Sequence, residues 1–344
     1  MRVSVIVVNW SRRDLLRACL RSLDRQTAGE FEVIVVDNGS VDGSPEMVEY
    51  EYPQVRLVRN RENRGFCTAN NQGIQASQAE FIALLNNDAE AEPGWLKALL
   101  DAIDARPDCG MAASKILVWE DPSRIDKAGH LIYPDGQNRG RGSGEPDRGQ
   151  YDRLEETLWP DGCAAMYRRE MLASIGGFDE DLFAYADDAE LGLRARIAGW
   201  RCVYAPAAVV RHHRGATLGL QSARRLELIE RNRVLLAAKL FPWSLLWMNP
   251  AYYLARIASG VWEAAHGRGE TALYAGPMGK LTIAAALVRG DFQALALLPR
   301  MLRKRREIER IRKLSPRQVR QLILENGISL RELSGQSTAN GTNA

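Results

Sequence analysis

The chain lacks the features that would place it in several large protein classes. Its 46 basic residues are nearly balanced by 43 acidic ones, and a net charge of only +3 argues against a nucleic-acid-binding protein. There is no Gly-x-x-x-x-Gly-Lys-Ser/Thr motif and no Gly-x-Gly-x-x-Gly motif. A P-loop and a standard dinucleotide fingerprint are therefore excluded.

Cysteine is scarce, and no two cysteines form a Cys-x-x-Cys pair. The five are Cys19, Cys67, Cys109, Cys163 and Cys202. An odd number of scattered cysteines argues against a disulfide framework or structural zinc and fits a reducing, cytoplasmic compartment. The N-terminal segment MRVSVIVVNWS has one preceding Arg and no small-residue cleavage site. We expect it to be a buried first strand rather than a signal peptide.

The first half of the chain alternates apolar runs with helical patterns. The patterns predict strands over 3–10, 31–40, 55–60 and 80–88 and helices over 11–24, 68–76 and 95–105. Near-continuous apolar strands separated by helices are typical of a parallel sheet covered on both faces. We therefore predict a Rossmann-like α/β fold, in which ligands bind at the carboxyl ends of the strands.

Polar side chains stand at those predicted strand ends. They are Asn9, Asp37, Asn38, Asn87 and Asp88. Asp88 is a candidate ligand for a divalent cation that bridges a diphosphate, and Asp37 could accept hydrogen bonds from a pyrimidine or a ribose. Each motif taken alone is explained equally well by a strand that ends in a polar turn.

Carboxylates crowd the segment 176–200, just before and within a predicted helix. Among them are Asp179, Glu180, Asp187, Asp188 and Glu190. A solvated helix start needs one or two acids, whereas Asp187, Asp188 and Glu190 stand together behind aromatic residues. Crowded carboxylates beside apolar residues raise one another's pKa, which suits a general base.

Arginine and histidine mark two further candidate contacts. Arg64 precedes a glycine turn into a helix, which suits an anion. His212 and His213 follow a predicted strand and are bracketed by Arg211 and Arg214. Such a pair suits a metal or a diphosphate, although a histidine is more often structural.

The segment 135–153 is rich in Gly and Arg and almost free of apolar residues. It is predicted to be either a mobile lid that carries Arg139, Arg141 and Arg148 toward phosphate or a disordered surface excursion. We place the catalytic domain at 1–236, with this segment as its lid.

The region 237–333 combines aromatic and basic helical patterns. Residues 240–262 are apolar but interrupted by proline and charge, and 300–320 is strongly basic at helical spacing. We expect amphipathic helices that lie on an anionic membrane surface; the alternative is a helical cap with a solvated basic face. The tail 334–344 is small and polar, so we expect disorder.

Several segments follow the order and spacing of family 2 glycosyltransferases, which the chain resembles over residues 3–235. They are VSVIVVNW, VVDNGSVDGS, ENRGFCTANNQG, LLNNDAE, GCAAMYRRE, GGFDEDLFAYADDAELGLRARIAGW and VVRHHRGAT. Within the family, the chain is similar to bacterial rhamnosyltransferases of cell-wall and O-antigen polysaccharide synthesis. The resemblance implies a GT-A fold, a nucleotide-sugar donor, Mg²⁺ or Mn²⁺, and inversion at the anomeric carbon.

The resemblance also implies roles for individual residues. Contacts to the nucleotide fall on Val8, Asn9, Asp37, Asn38, Arg64, Asn70 and Asn87. The metal falls on Asp88 and on His212 of a His-x-x-Gly pattern that closes on Gly215, with His213 as the fallback. Asp188 matches the catalytic base, with Asp187 and Glu190 as supporting acids. Trp95, Trp159, Gly162 and Tyr185 are assigned to the sugar and acceptor pocket, and Arg139 and Arg141 to the phosphate.

The donor and the acceptor are expectations from the resemblance alone. They are dTDP-L-rhamnose and a glycan or polyprenyl-linked saccharide, for an enzyme on the cytoplasmic face of the inner membrane that could form a homodimer. UDP-GlcNAc, UDP-Gal or UDP-Glc as donor, a nucleotidyltransferase, and a non-catalytic sugar-binding module remain alternatives. A processive synthase is disfavoured because the chain has no Gln-x-x-Arg-Trp segment.

Overall fold

The computed structural model describes residues 1–214, 222–266 and 276–335. The chain divides into two compact units. The first comprises residues 1–130 and 145–214, and the second comprises residues 131–144 together with the described residues from 222 onward. The predicted lid segment 135–153 is thus shared between the units, and the predicted domain boundary at residue 236 falls inside a helix of the second unit.

Strands dominate the first unit and helices the second. The strands are β1 (Val3–Asn9), β2 (Phe31–Asp37), β3 (Arg56–Arg59), β4 (Phe81–Leu85), β5 (Ala89–Ala91), β6 (Cys109–Val118), β7 (Ile125–Lys127), β8 (His130–Ile132), β9 (Asn138–Gly140), β10 (Glu155–Glu156), β11 (Ala164–Arg168) and β12 (Arg201–His212). The helices are α1 (Arg13–Asp24), α2 (Ser44–Glu51), α3 (Phe66–Ala76), α4 (Trp95–Asp104), α5 (Arg169–Ile175), α6 (Asp187–Ile197), α7 (Ala223–Leu240), α8 (Trp243–Leu246), α9 (Asn249–Ala265), α10 (Gly276–Ile311), α11 (Pro316–Glu325) and α12 (Leu330–Gly335).

A mostly parallel sheet forms the centre of the first unit, as predicted. Its order is β10-β12-β6-β11-β4-β1-β2-β3, with β5 added to β12 and β7 added to β6. The strands from β4 to β3 run parallel, and so do β6 and β12. β11 runs antiparallel to both of its neighbours, β4 and β6. It therefore joins the two parallel halves of the sheet.

The apolar periodicity of the sequence explains how this sheet is covered. β1 is buried over nearly its whole length. Leu16, Leu20 and Leu23 of α1 are wholly buried on one face of that helix. Burial of each such leucine contributes about 1.5–3 kcal/mol. The register pairs Asn9 with Asp37, so the polar ends of β1 and β2 lie side by side at one edge.

Trp95 corrects one prediction. It begins α4 and is wholly buried in the hydrophobic core. Its indole Nε1 donates a hydrogen bond to Ser114 Oγ at 2.9 Å. The side chain has both its apolar and its polar needs met inside the core, so Trp95 does not line a sugar or acceptor pocket.

The second unit is helical and holds a network of buried charges, the paired cluster, formed by Asp135, Glu230, Arg233 and Arg256. Arg256 donates to both acids, to Asp135 at 2.5 Å and to Glu230 at 2.9 Å. Arg233 Nε donates to Glu230 at 2.7 Å. Each acid in this interior therefore faces a guanidinium. α10 packs along α7 in the same unit.

Candidate functional site

A row of polar side chains crosses the carboxyl ends of β4, β1 and β2. Asn87 donates to Asn9 Oδ1 at 2.7 Å, and Asn9 Nδ2 donates to Asp37 Oδ1 at 3.2 Å. Asp37 Oδ2 accepts from the backbone of Ser40 at 2.9 Å. Val8 is partly exposed beside them. The structure thus brings four of the predicted nucleotide contacts together at one edge of the sheet.

Asn38 fixes the loop that carries Arg64. Its Oδ1 accepts from the backbone N–H of Arg64 at 3.1 Å, and its Nδ2 donates to the carbonyl of Gly65 at 3.2 Å. The Arg64 side chain is exposed. Gly65 has a φ of +85°, and a Cβ there would lie 2.5 Å from the ring of Phe183. Only glycine lets this loop approach the segment that precedes α6.

Asn70 is occupied within its own helix. It is buried in α3, and its Nδ2 donates to the carbonyl of Phe66 at 2.9 Å. A contact from Asn70 to a nucleotide stays a prediction.

Asp88 and His212 form a candidate metal site. His212 Nε2 lies 3.4 Å from Asp88 Oδ1, and its Nδ1 lies 2.7 Å from Asp126 Oδ2. Asp126 in turn binds Arg214 at 2.6 Å. A carboxylate on the second ring nitrogen is the arrangement that orients metal-binding histidines. Among the described residues, Asp88 Oδ1 has no hydrogen-bond partner. A buried oxygen and an oriented nitrogen fit Mg²⁺ or Mn²⁺.

The charges around His212 favour a cation there. Burial alone would lower its pKa, but its neighbours, among them Cys163 and the carboxylate of Asp88, raise the pKa overall. Burial would raise the pKa of Asp126, but Lys127 and His212 bring it well below the ordinary value. Asp126 is thus held ionised.

His213 points elsewhere. Its ring stacks at 4.7 Å on Trp119, and its Nδ1 lies 3.5 Å from Glu120. Of the two histidines, His212 is the one whose ring faces Asp88. Gly215, which closes the His-x-x-Gly pattern, lies outside the described residues.

Asp187 and Asp188, here called the acid pair, begin α6. Asp188 Oδ2 accepts from the backbone N–H of Gly162 at 3.2 Å and lies 3.5 Å from His130 Nε2. Burial and the charge of Asp188 raise the pKa of Asp187 well above its ordinary value. The pKa of Asp188 is also raised by burial, although His130 opposes the rise. The crowding therefore has the effect on pKa that we expected.

The segment 161–163 links the acid pair to the metal motif. Its Gly162 binds Asp188, while the carbonyl of the next residue, Cys163, accepts from the backbone N–H of Asn86 at 2.8 Å. Asn86 is two residues from Asp88. Short backbone contacts therefore bring the two sequence motifs to one region of the first unit.

Sequence reasoning missed the residues that surround the acid pair. His130 Nε2 lies 2.8 Å from Asp161 Oδ2, and Lys127 Nζ lies 2.9 Å from the same oxygen. Lys127 is also 3.9 Å from Asp126. These contacts make a continuous chain of charged groups from Asp188 to the partner of His212. The only signals in the sequence were the short segments DKAGH and WPDGC.

His130, Asp161 and Asp188 form a second group that could hold a metal, because their ligand atoms lie within 4.8 Å of one another. Here, however, the Lys127 ammonium already faces Asp161. Burial would raise the pKa of Asp161, but Lys127 and His130 lower it well below the ordinary value. The pair Asp88 and His212 is therefore the better cation site.

Backbone strain is concentrated immediately before the acid pair. Phe183, Tyr185 and Ala186 have φ values of +65°, +69° and +55°. Non-glycine residues rarely adopt such values, and each costs about 1–3 kcal/mol. The carbonyl of Phe183 accepts from the N–H of Cys67 at 3.1 Å, which anchors the segment to α3. Such strain is typical of functional sites, and Tyr185 is partly exposed here.

Glu190 has a structural partner. It forms a buried ion pair with Arg194 at 2.8 Å. Arg194 also donates to the carbonyls of Ile175, Gly176 and Gly177. Glu190 therefore supports the glycine turn before α6 rather than the reacting groups.

Trp159 lies behind the site rather than in a pocket. It is wholly buried, and its ring stacks on that of His130 at 5.9 Å. A Cβ on Gly192 of α6 would come within 2.2 Å of it. The prediction of a pocket-lining Trp159 is corrected accordingly: the indole shapes the site by holding His130 against α6.

Arg139 and Arg141 belong to the second unit. Arg139 Nη1 donates to the carbonyl of Leu333 at 3.0 Å in that unit. Their contact with phosphate stays a prediction.

The sheet, the polar strand ends and the acid pair at a helix start are arranged as in the GT-A fold. Solved structures support this fold. Residues 1–349 of TarS from S. aureus share 17% identity and a TM-score of 0.53 over 96% of this chain and 90% of that one. The mannosyltransferase PcManGT from Pyrobaculum calidifontis, solved with GDP-Man and Mn²⁺, shares 21% identity and a TM-score of 0.50 over 86% and 87%.

Sequence comparison then defines the family. The profile of glycosyl transferase family 2 matches residues 4–176, and the chain belongs to this family. The N-acetylglucosaminyl-diphospho-decaprenol L-rhamnosyltransferase of Mycobacterium tuberculosis (strain ATCC 25618 / H37Rv) is 32% identical over 244 residues. These cover 64% of this chain and 79% of that protein.

Proposed function

We propose that the chain transfers a sugar, with inversion, from a nucleotide-sugar to a hydroxyl group of a glycan or lipid-linked saccharide. The observation that carries the proposal is the buried acid pair with a raised pKa, next to the backbone that leads to the metal motif. A carboxylate of raised basicity at a nucleotide-binding edge suits removal of a proton from a hydroxyl.

Asp188 is the general base of this mechanism. The Gly162 N–H and the His130 ring contact Oδ2, and the Ala189 N–H donates to Oδ1 at 2.7 Å, which together fix the orientation of the carboxylate. The hydroxyl oxygen attacks the anomeric carbon as Asp188 takes its proton, and the nucleoside diphosphate leaves from the opposite face. Burial and the charge of Asp188 raise the pKa of Asp187, which favours its protonated form and reduces the negative charge beside Asp188.

Asp88 and His212 would hold the divalent cation, and Asn9, Asp37 and Arg64 bind the nucleotide side of the donor. When bound, the cation would stabilise the charge that develops on the leaving diphosphate. We expect Asp88→Asn to raise the Mn²⁺ concentration needed for half-maximal transfer at least tenfold.

The direct test of the proposal is Asp188→Asn. We expect at least a thousandfold loss of transfer to the acceptor with an unchanged unfolding temperature, because the side chain keeps its shape and loses its basicity. Retained transfer by the folded variant would refute Asp188 as the base.

The proposed donor is dTDP-L-rhamnose, from which L-rhamnose is transferred. The proposed acceptor is a polyprenyl-linked saccharide. The support is the relative from Mycobacterium tuberculosis, whose name gives both a rhamnosyl transfer and a decaprenol-linked acceptor. Donor hydrolysis measured with dTDP-L-rhamnose against UDP-GlcNAc, UDP-Gal and UDP-Glc tests the choice. A preference for a UDP-sugar would contradict the proposed donor but not the proposed glycosyl transfer.

Peripheral association with the cytoplasmic face of the membrane completes the proposal. One helix of the described residues, Met278–Ile311 within α10, is long and apolar enough to cross a membrane. It carries Arg289 and Asp291 near its middle, and these reach Glu227 at 3.5 Å and Tyr253 at 3.1 Å. Such charged contacts to neighbouring helices suit a helix lying on the membrane better than one crossing it.

A further inference from the structure

The second unit contains a large groove whose lining includes none of the residues assigned to glycosyl transfer. It has a volume of about 1260 Å³ and lies between α8, α10 and α11. Its apolar wall includes Trp243, Leu302 and Leu324, which are 60%, 43% and 44% exposed. Large apolar side chains exposed together mark a surface that binds something.

The same groove is rich in arginine. Arg312 is bound by Glu309 at 2.8 Å, which leaves Arg305, Arg306, Arg317 and Arg320 facing the groove. In the described part of the chain, no carboxylate lies within ion-pair distance of Arg306, Arg317 or Arg320. Glu309 and Glu325 also line the groove, but its five arginines leave the charge positive on balance, beside apolar surface.

Arg305 lies between the apolar wall and the arginine-rich part of the groove. It is 8% exposed, its guanidinium lies 5.0 Å from the centre of the Trp243 ring, and its Nη1 donates to the carbonyl of Ala238 at 3.1 Å. Burial lowers its pKa. Glu309 partly opposes that fall but is already bound by Arg312, so the buried guanidinium of Arg305 gains from an anion in the groove.

Further exposed apolar residues continue along the unit. Trp247 is 81% exposed, and Phe292 and Leu295 of α10 are 68% and 56% exposed. Together with Trp243 they are the kind of side chain that enters the boundary between lipid head groups and acyl chains. The second unit thus exposes large apolar side chains outside the groove as well.

We propose that this groove binds one acidic phospholipid of the membrane, with its phosphate on Arg306, Arg317 and Arg320 and an acyl chain on Trp243, Leu302 and Leu324. The charge selects an anion and the adjoining apolar wall selects a chain, and a phospholipid has both. The inference deepens the membrane partner of the proposed function, and glycosyl transfer is measured separately so that the two can fail independently.

Vesicle binding of the full chain tests the site. We expect Arg317→Gln/Arg320→Gln to weaken binding to vesicles of phosphatidylglycerol and phosphatidylcholine by about 10- to 30-fold. Arg303→Gln/Arg310→Gln is the matched control, because it removes the same charge from exposed positions of α10 outside the groove. A smaller loss in the control supports a site, and an equal loss overturns it in favour of diffuse attraction.

A soluble short-chain lipid tests whether the groove recognises an acyl chain in addition to a phosphate. We expect short-chain phosphatidylglycerol, below its micelle concentration, to raise the unfolding temperature, and Trp243→Ala to reduce that rise. Inorganic phosphate at equal concentration is expected to have a much smaller effect. An equal effect of phosphate, or a dimer of the wild type that Trp243→Ala dissociates, would overturn the proposal. Donor hydrolysis by Arg317→Gln/Arg320→Gln should stay within twofold of the wild type.

Discussion

The paired cluster of the second unit and the acid pair of the first unit bury their acids in opposite ways. In the paired cluster, Asp135 and Glu230 each face arginine at hydrogen-bonding distance. The acid pair is under-compensated, and burial raises the pKa of both Asp187 and Asp188. Buried charges that support a fold are matched by partners, as Glu190 is by Arg194 in the first unit, whereas acids that move protons are left with raised basicity.

The sharpest way to break this comparison is to unpair the structural cluster. Glu230→Gln removes the charge that faces Arg233 and Arg256. We expect the second unit to lose about 3 kcal/mol, because Arg233 loses its hydrogen-bonded carboxylate and Arg256 keeps only Asp135. Denaturant unfolding followed by circular dichroism measures the loss.

Glu307→Gln, on the exposed side of α10, is the matched control for this loss and should stay within about 0.5 kcal/mol. A stable Glu230→Gln protein would mean that the paired cluster is not needed for the fold, and the contrast between the units would fail.

The next largest effect is expected from His130, which lies beside Asp188 of the acid pair. His130→Asn removes the imidazole ring that lies 3.5 Å from Asp188. In the wild type this ring lowers the pKa of Asp188. We expect kcat to fall about 10- to 100-fold with little change in KM for the donor, because the base loses its orientation. The acidic limb of the kcat profile should also move to higher pH.

The shift of the kcat–pH profile distinguishes a histidine that positions Asp188 from one that only fills space. Trp159→Phe disturbs the ring stacked on His130 but keeps His130 beside Asp188, so its profile should keep the wild-type limb. An unmoved limb in His130→Asn would mean that the histidine only fills space.

Local patterns in the sequence were sufficient to predict the strand ends and the acid pair. Apolar runs identify β1, β2 and β4, and the residue after a parallel strand lies at a known edge, so Asn9, Asp37 and Asp88 could be placed. Asp187 and Asp188 stood out because a helix start does not need so many acids.

The partners of the acid pair could not be predicted in this way. His130 and Asp161 meet only because the chain between β7 and β11 returns to α6, and such long-range contacts leave no periodic signal. Trp95 was misassigned for a related reason. An aromatic residue at a helix start has the same pattern in a core as in a pocket, and only its hydrogen bond to Ser114 distinguishes the two.

A smaller effect is expected from the glycine that lets the loop of Arg64 approach α6. Gly65→Ala places a Cβ 2.5 Å from the Phe183 ring at a φ of +85°. We expect a cost of about 1–3 kcal/mol and a matching loss of transfer, because the strained segment before the acid pair must move. Gly94→Ala is the matched control, since its Cβ would meet nothing within 4 Å. Equal costs at both positions would show that the close approach at Gly65 does not matter.

The smallest effect at neutral pH is expected from Asp187→Asn. Burial and Asp188 raise the pKa of Asp187 well above its ordinary value, so the folded protein holds the acid protonated and asparagine replaces it with little change, within about 1 kcal/mol. A raised carboxyl pKa favours the folded state fully below the unfolded value, near pH 4, and this advantage is lost as pH rises toward the folded value. The stability of the wild type relative to Asp187→Asn should therefore fall as pH rises from about 4, measured by denaturant unfolding at a series of pH values. A relative stability that instead increases with pH would mean that Asp187 is held ionised, as the acids of the paired cluster are, and the distinction between the two units would disappear at this residue.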